Sequence, residues 1–141
     1  MGNRLLAVDP GERKIGLALS DPTGTIGRLL TVLQHISRLV DAAAIAAIAS
    51  EQEVAMIIVG QALDSDGRAG PAARKAARMS DAIRTQTKIP VTLWDESGTT
   101  VTARETLVEM GVPRSRRRGH QDALAAALIL KSYIDAHRGD A

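Results

Sequence analysis

Carboxylates at three places in this 141-residue chain could share one job. Asp9 ends the apolar run Leu5-Leu6-Ala7-Val8, Asp95-Glu96 end Val91-Thr92-Leu93-Trp94, and Asp122 opens the apolar stretch from Ala123 to Leu130. Three acids brought together without a nearby Lys or Arg repel one another and raise each other's pKa, and a divalent cation removes that conflict. Oxygen-only ligands suit Mg²⁺ or Mn²⁺. Two such ions about 3.5–4 Å apart activate a water and stabilise the leaving oxygen of a phosphodiester. The chemistry predicted is metal-dependent phosphodiester hydrolysis, with Asp9 as bridging ligand, Asp95 or Glu96 beside it, and Asp122 as the third ligand.

The basic residues point to the same substrate class. Net charge is only +2, but Arg114, Arg116, Arg117 and Arg118 crowd a segment bounded by Pro113 and Gly119. Such a cluster on a loop reads as a phosphate-contacting patch. Lys14 is a further candidate for the nucleic-acid backbone. The stretch from Asp64 to Gly70, with Pro71 opening a helix behind it, could cradle a phosphate. His120 is near enough to Asp122 to be considered for proton transfer, although a helix-start histidine without a catalytic role is the simpler reading. His35 and His137 show no metal-ligand spacing. One Trp, one Tyr and no Phe leave too few aromatic platforms for base stacking, so contact with nucleic acid should run through the backbone.

These groups need elements to position them. Leu5 to Val8 reads as a buried strand ending in Asp9, and Pro10-Gly11 forces a turn. Ile15, Leu17 and Leu19 alternate along the returning strand. Asp21-Pro22-Thr23-Gly24 is a second turn, and Gly27 to Gln34 a third, less cleanly alternating strand. Ser37 caps a helix to about Ser50, with Leu39, Ala43, Ala46 and Ala47 expected inward. Ala55 to Val59 reads as a strand buried on both faces and ended by Gly60. A helix from Pro71 should bury Ala72, Ala76, Met79 and Ile83, with Arg74, Lys75, Arg78 and Arg84 mostly outside. Val91 to Trp94 is the last strand. Helices follow from Thr99 or Thr100 to Met110 and from about His120 to Ala136.

The order βββαβαβαα predicts an α/β fold: a five-stranded mixed sheet of three antiparallel strands, then two parallel strands reached by helical crossovers, flanked by helices. With the first, fourth and fifth strands side by side, Asp9 and Asp95-Glu96 reach one sheet edge, where open α/β sheets place ligands. Asp122 lies on a helical stripe with Ala126, Ile129 and Tyr133, which should face that sheet. The length suits one domain, residues 1–141. No cysteine means no disulfide and no thiolate zinc site. No apolar stretch approaches the roughly 20 residues that span a bilayer, and Asp9 and Glu12 interrupt any signal peptide. A cytoplasmic protein is expected.

Four stretches carry a resemblance: Val-Asp-Pro-Gly-Glu-Arg-Lys-Ile-Gly-Leu-Ala from Val8, Ile-Val-Gly-Gln-Ala-Leu-Asp-Ser-Asp-Gly-Arg-Ala-Gly-Pro from Ile58, Leu-Trp-Asp-Glu-Ser-Gly-Thr-Thr from Leu93, and Asp-Ala-Leu-Ala-Ala-Ala-Leu-Ile-Leu-Lys-Ser-Tyr from Asp122. Together and in this order they resemble the YqgF/RuvX family of RNase H-like proteins, described as pre-16S rRNA nucleases and, earlier, as Holliday junction resolvases. The resemblance implies catalytic acids at Asp9, Glu96 and Asp122, choosing Glu96 over Asp95. It also implies trimming of the 5′ end of pre-16S rRNA during ribosome biogenesis. The chain departs from the family at Ser97-Gly98, where Arg and a larger apolar residue are usual, and at Gln61-Ala62, where Leu-Pro is usual.

Other readings make different demands. Cleavage of branched DNA at four-way junctions calls for a homodimer whose two sites meet two strands, whereas RNA trimming is open to a monomer. A non-catalytic RNA-binding assembly factor has no use for three mutually repelling acids. An actin-like nucleotide-binding domain shares the Asp-Pro-Gly turn but needs a second domain for which this chain is too short.

Overall fold

The computed structural model describes residues 3–61, 70–95 and 121–137, the first three of the last group by backbone alone. Strands β1 (Leu5–Pro10), β2 (Lys14–Ser20) and β3 (Gly27–Gln34) come first. Helix α1 (Arg38–Glu51), β4 (Met56–Gln61), α2 (Pro71–Arg84), β5 (Val91–Asp95) and α3 (Gln121–Ala136) follow. The strands form one mixed sheet in the order β3-β2-β1-β4-β5. β1 pairs antiparallel with β2 and parallel with β4, and β4 parallel with β5. This is the predicted sheet, with β1, β4 and β5 side by side. The predicted helix from Thr99 or Thr100 to Met110 lies outside the described residues.

Alternation divides the core between two faces. Leu6, Val8, Ile15, Leu17, Leu19, Ile57 and Val59 pack with Ala42, Ile45 and Ala49 of α1 and Ala76, Met79 and Ile83 of α2. Ala7, Ala18 and Ile58 pack on the opposite face with Ala126, Ile129, Leu130 and Ile134 of α3. Each fully buried Leu or Ile contributes about 1.5–3 kcal/mol over an exposed one. Small residues on the α3 face let that helix sit close. At Gly27, for example, an added Cβ would come within 2.6 Å of a Leu130 methyl carbon.

Three details depart from the sequence expectations. β4 continues through Gly60 to Gln61, because the ladder to β5 pairs Gly60 with Trp94 and Gln61 with Asp95. The inward face of α1 is Asp41, Ala42, Ile45, Ala46 and Ala49, whereas Leu39, Ala43 and Ala47 are exposed. Residues 42–49 contain no polar side chain, so apolar periodicity had nothing to contrast with. In α2, Ala76, Met79 and Ile83 are buried as expected, but at the first turn Ala73 rather than Ala72 faces inward. The weak alternation of β3 has a physical cause: its pairing with β2 shifts register between Leu17 and Ala18, and such a slip exchanges the faces.

Candidate active site at the carboxyl edge of the sheet

β1, β4 and β5 end at one edge of the sheet, and β2 begins there. Asp9 lies opposite Gly16, the last register pair but one on β1. Alternation sets Asp9 on the face of Ala7, the face that α3 covers. Leu6 and Val8 hold the strand from the other side, both with no exposed surface. On the neighbouring strands the positions at this level are glycines. Gly16 is the partner of Asp9, and Gly60 follows Val59, the partner of Val8. Both glycines are buried and Asp9 is half-buried. The two positions flanking Asp9 on the neighbouring strands therefore carry no side chain.

The turn that carries Asp9 is tied down from several sides. The Gly11 N–H donates to the Asp9 carbonyl at 3.0 Å. The Lys75 ammonium, from the second turn of α2, donates to the Gly11 carbonyl at 2.8 Å. The His35 N–H donates to the Arg13 carbonyl at 2.9 Å. Gly11 is required by close approach, since a Cβ there would lie 2.4 Å from the Lys14 carbonyl oxygen. Lys14 begins β2, is exposed, and by alternation belongs to the same face as Ala18 and Asp9.

Two of these supports were not foreseen. Lys75 read as one of several outward cations of α2, and nothing local in sequence pairs it with a residue 64 positions away. His35 showed no ligand spacing, yet its ring Nδ1 pairs with the Asp41 carboxylate, which is only 3% exposed. Asp41 also accepts the Ile36 N–H at 3.0 Å. A buried carboxylate needs such partners, and here they brace the β3–α1 connection against the same edge.

β5 brings Asp95 to this edge, opposite Gln61 of β4. Val91 and Leu93 pack on the α1/α2 face and Trp94 on the α3 face. Trp94 donates from Nε1 to the Ser132 hydroxyl at 3.0 Å and meets Tyr133 edge-on with ring centroids 5.2 Å apart. Alternation therefore assigns Asp95 to the α1/α2 face, opposite that of Asp9. Glu96, His120 and the arginines Arg114, Arg116, Arg117 and Arg118 lie outside the described residues, as does most of the Asp64–Gly70 stretch. Asp122 is in the first turn of α3, by backbone only. The residues four, seven and eleven positions after it, Ala126, Ile129 and Tyr133, belong to the cluster that packs on the α3 face of the sheet. Among the described residues no three His, Cys, Asp or Glu side chains gather as a metal site. Of the three predicted acids, only Asp9 has a described side chain.

Comparison with known proteins agrees with this architecture. The family model described as "RuvX: Holliday junction resolvase" matches residues 3–136. The chain is 39% identical over 135 residues to the "Putative pre-16S rRNA nuclease" of Myxococcus xanthus (strain DK1622), covering 96% of this chain and 89% of that protein. It is 39% identical over 136 residues to the protein of the same name from Thermoanaerobacter pseudethanolicus, covering 96% and 98%. Among solved structures it resembles Thermus thermophilus RuvC in complex with a Holliday junction substrate, with a TM-score of 0.56, 17% identity and 96% of each chain covered. The fowlpox virus Holliday junction resolvase gives a TM-score of 0.55 at 12% identity, over 94% of this chain and 98% of that one. These structural likenesses establish the RNase H-like fold, and the family match together with relatives of this identity over nearly the whole chain establish more: the chain is a member of the RuvX family.

Proposed function

We propose that this protein is a metal-dependent endonuclease that trims the 5′ end of pre-16S rRNA in the cytoplasm, as a single nuclease domain over residues 1–141. Asp9, Glu96 and Asp122 are its metal ligands and catalytic acids. Lys14, Arg114, Arg116, Arg117 and Arg118 hold the substrate backbone. The observation that carries the reading is the setting of Asp9: a half-buried carboxylate at the carboxyl edge, on the α3 face, with Gly16 and Gly60 on either side.

The same alternation supports the other two acids. Asp95 belongs to the wrong face by alternation, so an acid delivered by this strand end to the α3 face falls on an even-numbered position, as Glu96 does. Asp122 precedes, at helical spacing, a stripe that packs on that face. An all-oxygen donor set of this kind fits Mg²⁺ or Mn²⁺. Bound there, the ion supplies a water of lowered pKa and charge compensation at the departing oxygen. The chain's own residues do the rest. Gly11, pinned by Lys75, fixes the turn that aims Asp9. The basic residues hold the phosphodiester over the edge.

The names of the curated relatives favour RNA as substrate, and those of the structural neighbours favour four-way DNA junctions. One assay decides between them. The purified protein is incubated with Mg²⁺ or Mn²⁺ on a 5′-extended 16S rRNA precursor fragment and on a four-way DNA junction, with Asp9→Asn beside it. The expected result is metal-dependent cleavage of the RNA that Asp9→Asn abolishes. Cleavage of the junction alone makes the protein a resolvase, and RNA binding without cleavage of either makes it an assembly factor.

A further inference from the structure

The sequence reading treated the arginines of α2 as a solvated outer face, but their placement in the fold gives them a partner. The first ten residues of α2, Pro71 to Ser80, contain Arg74, Lys75 and Arg78 and no acid. Cations early in a helix oppose its dipole, so this arrangement does not serve the stability of α2. The Lys75–Gly11 bond docks this stretch of α2 against the turn that carries Asp9. On that turn Arg13 and Lys14 are exposed, as are Arg74 and Arg78 on the helix. Among the described residues Arg13, Lys14 and Arg78 form no salt bridge, and Glu12 is the one acid between Pro10 and Lys14. By contrast Asp81 and Arg84, further along α2, pair with each other at 2.8 Å.

We infer that Arg13, Lys14, Arg74 and Arg78 form a continuous backbone-binding track that leads a nucleic-acid strand from the outer face of α2 over the β1–β2 turn to Asp9. This rests on the nuclease reading and adds to it a surface on the α1/α2 side of the sheet. Arg74 and Arg78 are four residues, or about 6 Å, apart along the helix axis. A duplex strand presents a phosphate about every 3.4 Å along its axis, so the pair spans roughly two phosphates. The exposed residue next to these cations at the start of α2, Ala72, is small and aliphatic, and no aromatic side chain lies on α2. The track therefore holds phosphates and reads no bases.

Salt dependence of binding tests this without using cleavage. Affinity for a fluorescein-labelled RNA duplex, and for a DNA duplex of equal length, is measured against salt concentration without divalent metal. The proteins compared are wild type, Arg74→Ala/Arg78→Ala, Arg13→Ala/Lys14→Ala, and Lys88→Ala. Lys88 is an exposed cation that precedes β5, at the opposite edge of the sheet. Each lost phosphate contact lowers the slope of log K against log salt by about 0.9 on duplex DNA. Each double variant should flatten the slope by about one to two such steps while Lys88→Ala leaves it unchanged. Thermal midpoints within a few degrees of wild type establish that the variants are folded. Slopes unchanged in both double variants, or flattened equally by Lys88→Ala, overturn the track while leaving the nuclease reading intact. A wild-type protein that binds neither duplex overturns both.

Discussion

Two turns in this protein begin with the same residues and are held in different ways. Asp9-Pro10-Gly11 joins β1 to β2 at the carboxyl edge, and Asp21-Pro22-Thr23-Gly24 joins β2 to β3 at the opposite edge. In the second turn the aspartate side chain is the organiser. The Asp21 carboxylate accepts the Thr23 hydroxyl at 2.6 Å, the Thr25 N–H at 2.9 Å and the Ile26 N–H at 3.2 Å. In the first turn, main chain and a distant helix provide the closure: Gly11 to the Asp9 carbonyl, and Lys75 to the Gly11 carbonyl. Both turns also have main-chain bonds, in the second from Gly24 to the Asp21 carbonyl and from Asn3 to the Pro22 carbonyl. What the second turn adds is its own carboxylate, and what the first adds is a cation from a distant helix.

Exchanging the two acids for neutral residues should give opposite results, and this is the largest effect expected. Asp9→Asn should reduce metal-dependent cleavage by roughly a thousandfold or more, the several kcal/mol that a metal ligand supplies at the transition state. Its urea midpoint should stay close to that of wild type, because in the proposed three-acid site relief from like charges offsets lost bonds. Asp21→Ala should leave cleavage per folded molecule unchanged and lower the urea midpoint. Measuring both quantities on both variants breaks the comparison if Asp21→Ala abolishes cleavage, or if Asp9→Asn leaves it intact.

The glycines of the two turns sharpen the contrast at smaller magnitude. Gly11→Ala sets a Cβ 2.4 Å from the Lys14 carbonyl oxygen, so backbone must move. Overpacking of this kind costs about 1–3 kcal/mol, and the displaced backbone is the segment that aims Asp9. Cleavage should fall by more than the unfolded fraction accounts for. Gly24 has φ of +72° and a Cβ there would lie 2.8 Å from the Asn3 carbonyl oxygen. Gly24→Ala should cost a comparable 1–2 kcal/mol or so, with cleavage per folded molecule unchanged. Denaturation curves and single-turnover rates on the two variants check this, and equal losses of rate would remove the distinction.

Much of the fold that frames this contrast could be read before the structure was known, and some could not. The strands, their order and the edge shared by β1 and β5 follow from short apolar runs, turn residues and the crossover connections. The choice of Glu96 over Asp95 came from the family resemblance; the described strand contributes only that Trp94 faces α3, which sets Asp95 on the other face by alternation. The inner face of α1 was misread because an alanine-rich middle carries no polar contrast. How the two Asp-Pro turns are held was not legible: the Asp21 carboxylate binds Thr23, Thr25 and Ile26, and the first turn is met by Lys75, far along the chain.

Acid titration measures the smallest effect and isolates the second turn. Hydrogen bonds from the Thr23 hydroxyl first, then from the Thr25 and Ile26 amides, hold the Asp21 pKa at about 2, below its ordinary value of 3.8. A carboxylate whose pKa is lower folded than unfolded stabilises the fold above the unfolded value. That contribution is lost as pH falls towards the folded value. Wild type should therefore exceed Asp21→Ala in urea midpoint by a constant amount from neutral pH down to about 4. Between about pH 4 and pH 2 the gap should shrink as the carboxylate protonates and its acceptor role weakens. A gap between wild type and Asp21→Ala that persists undiminished at pH 2 would mean that the carboxylate charge is not what organises the second turn, and that the hydrogen bonds of the neutral Asp21 side chain do the work instead.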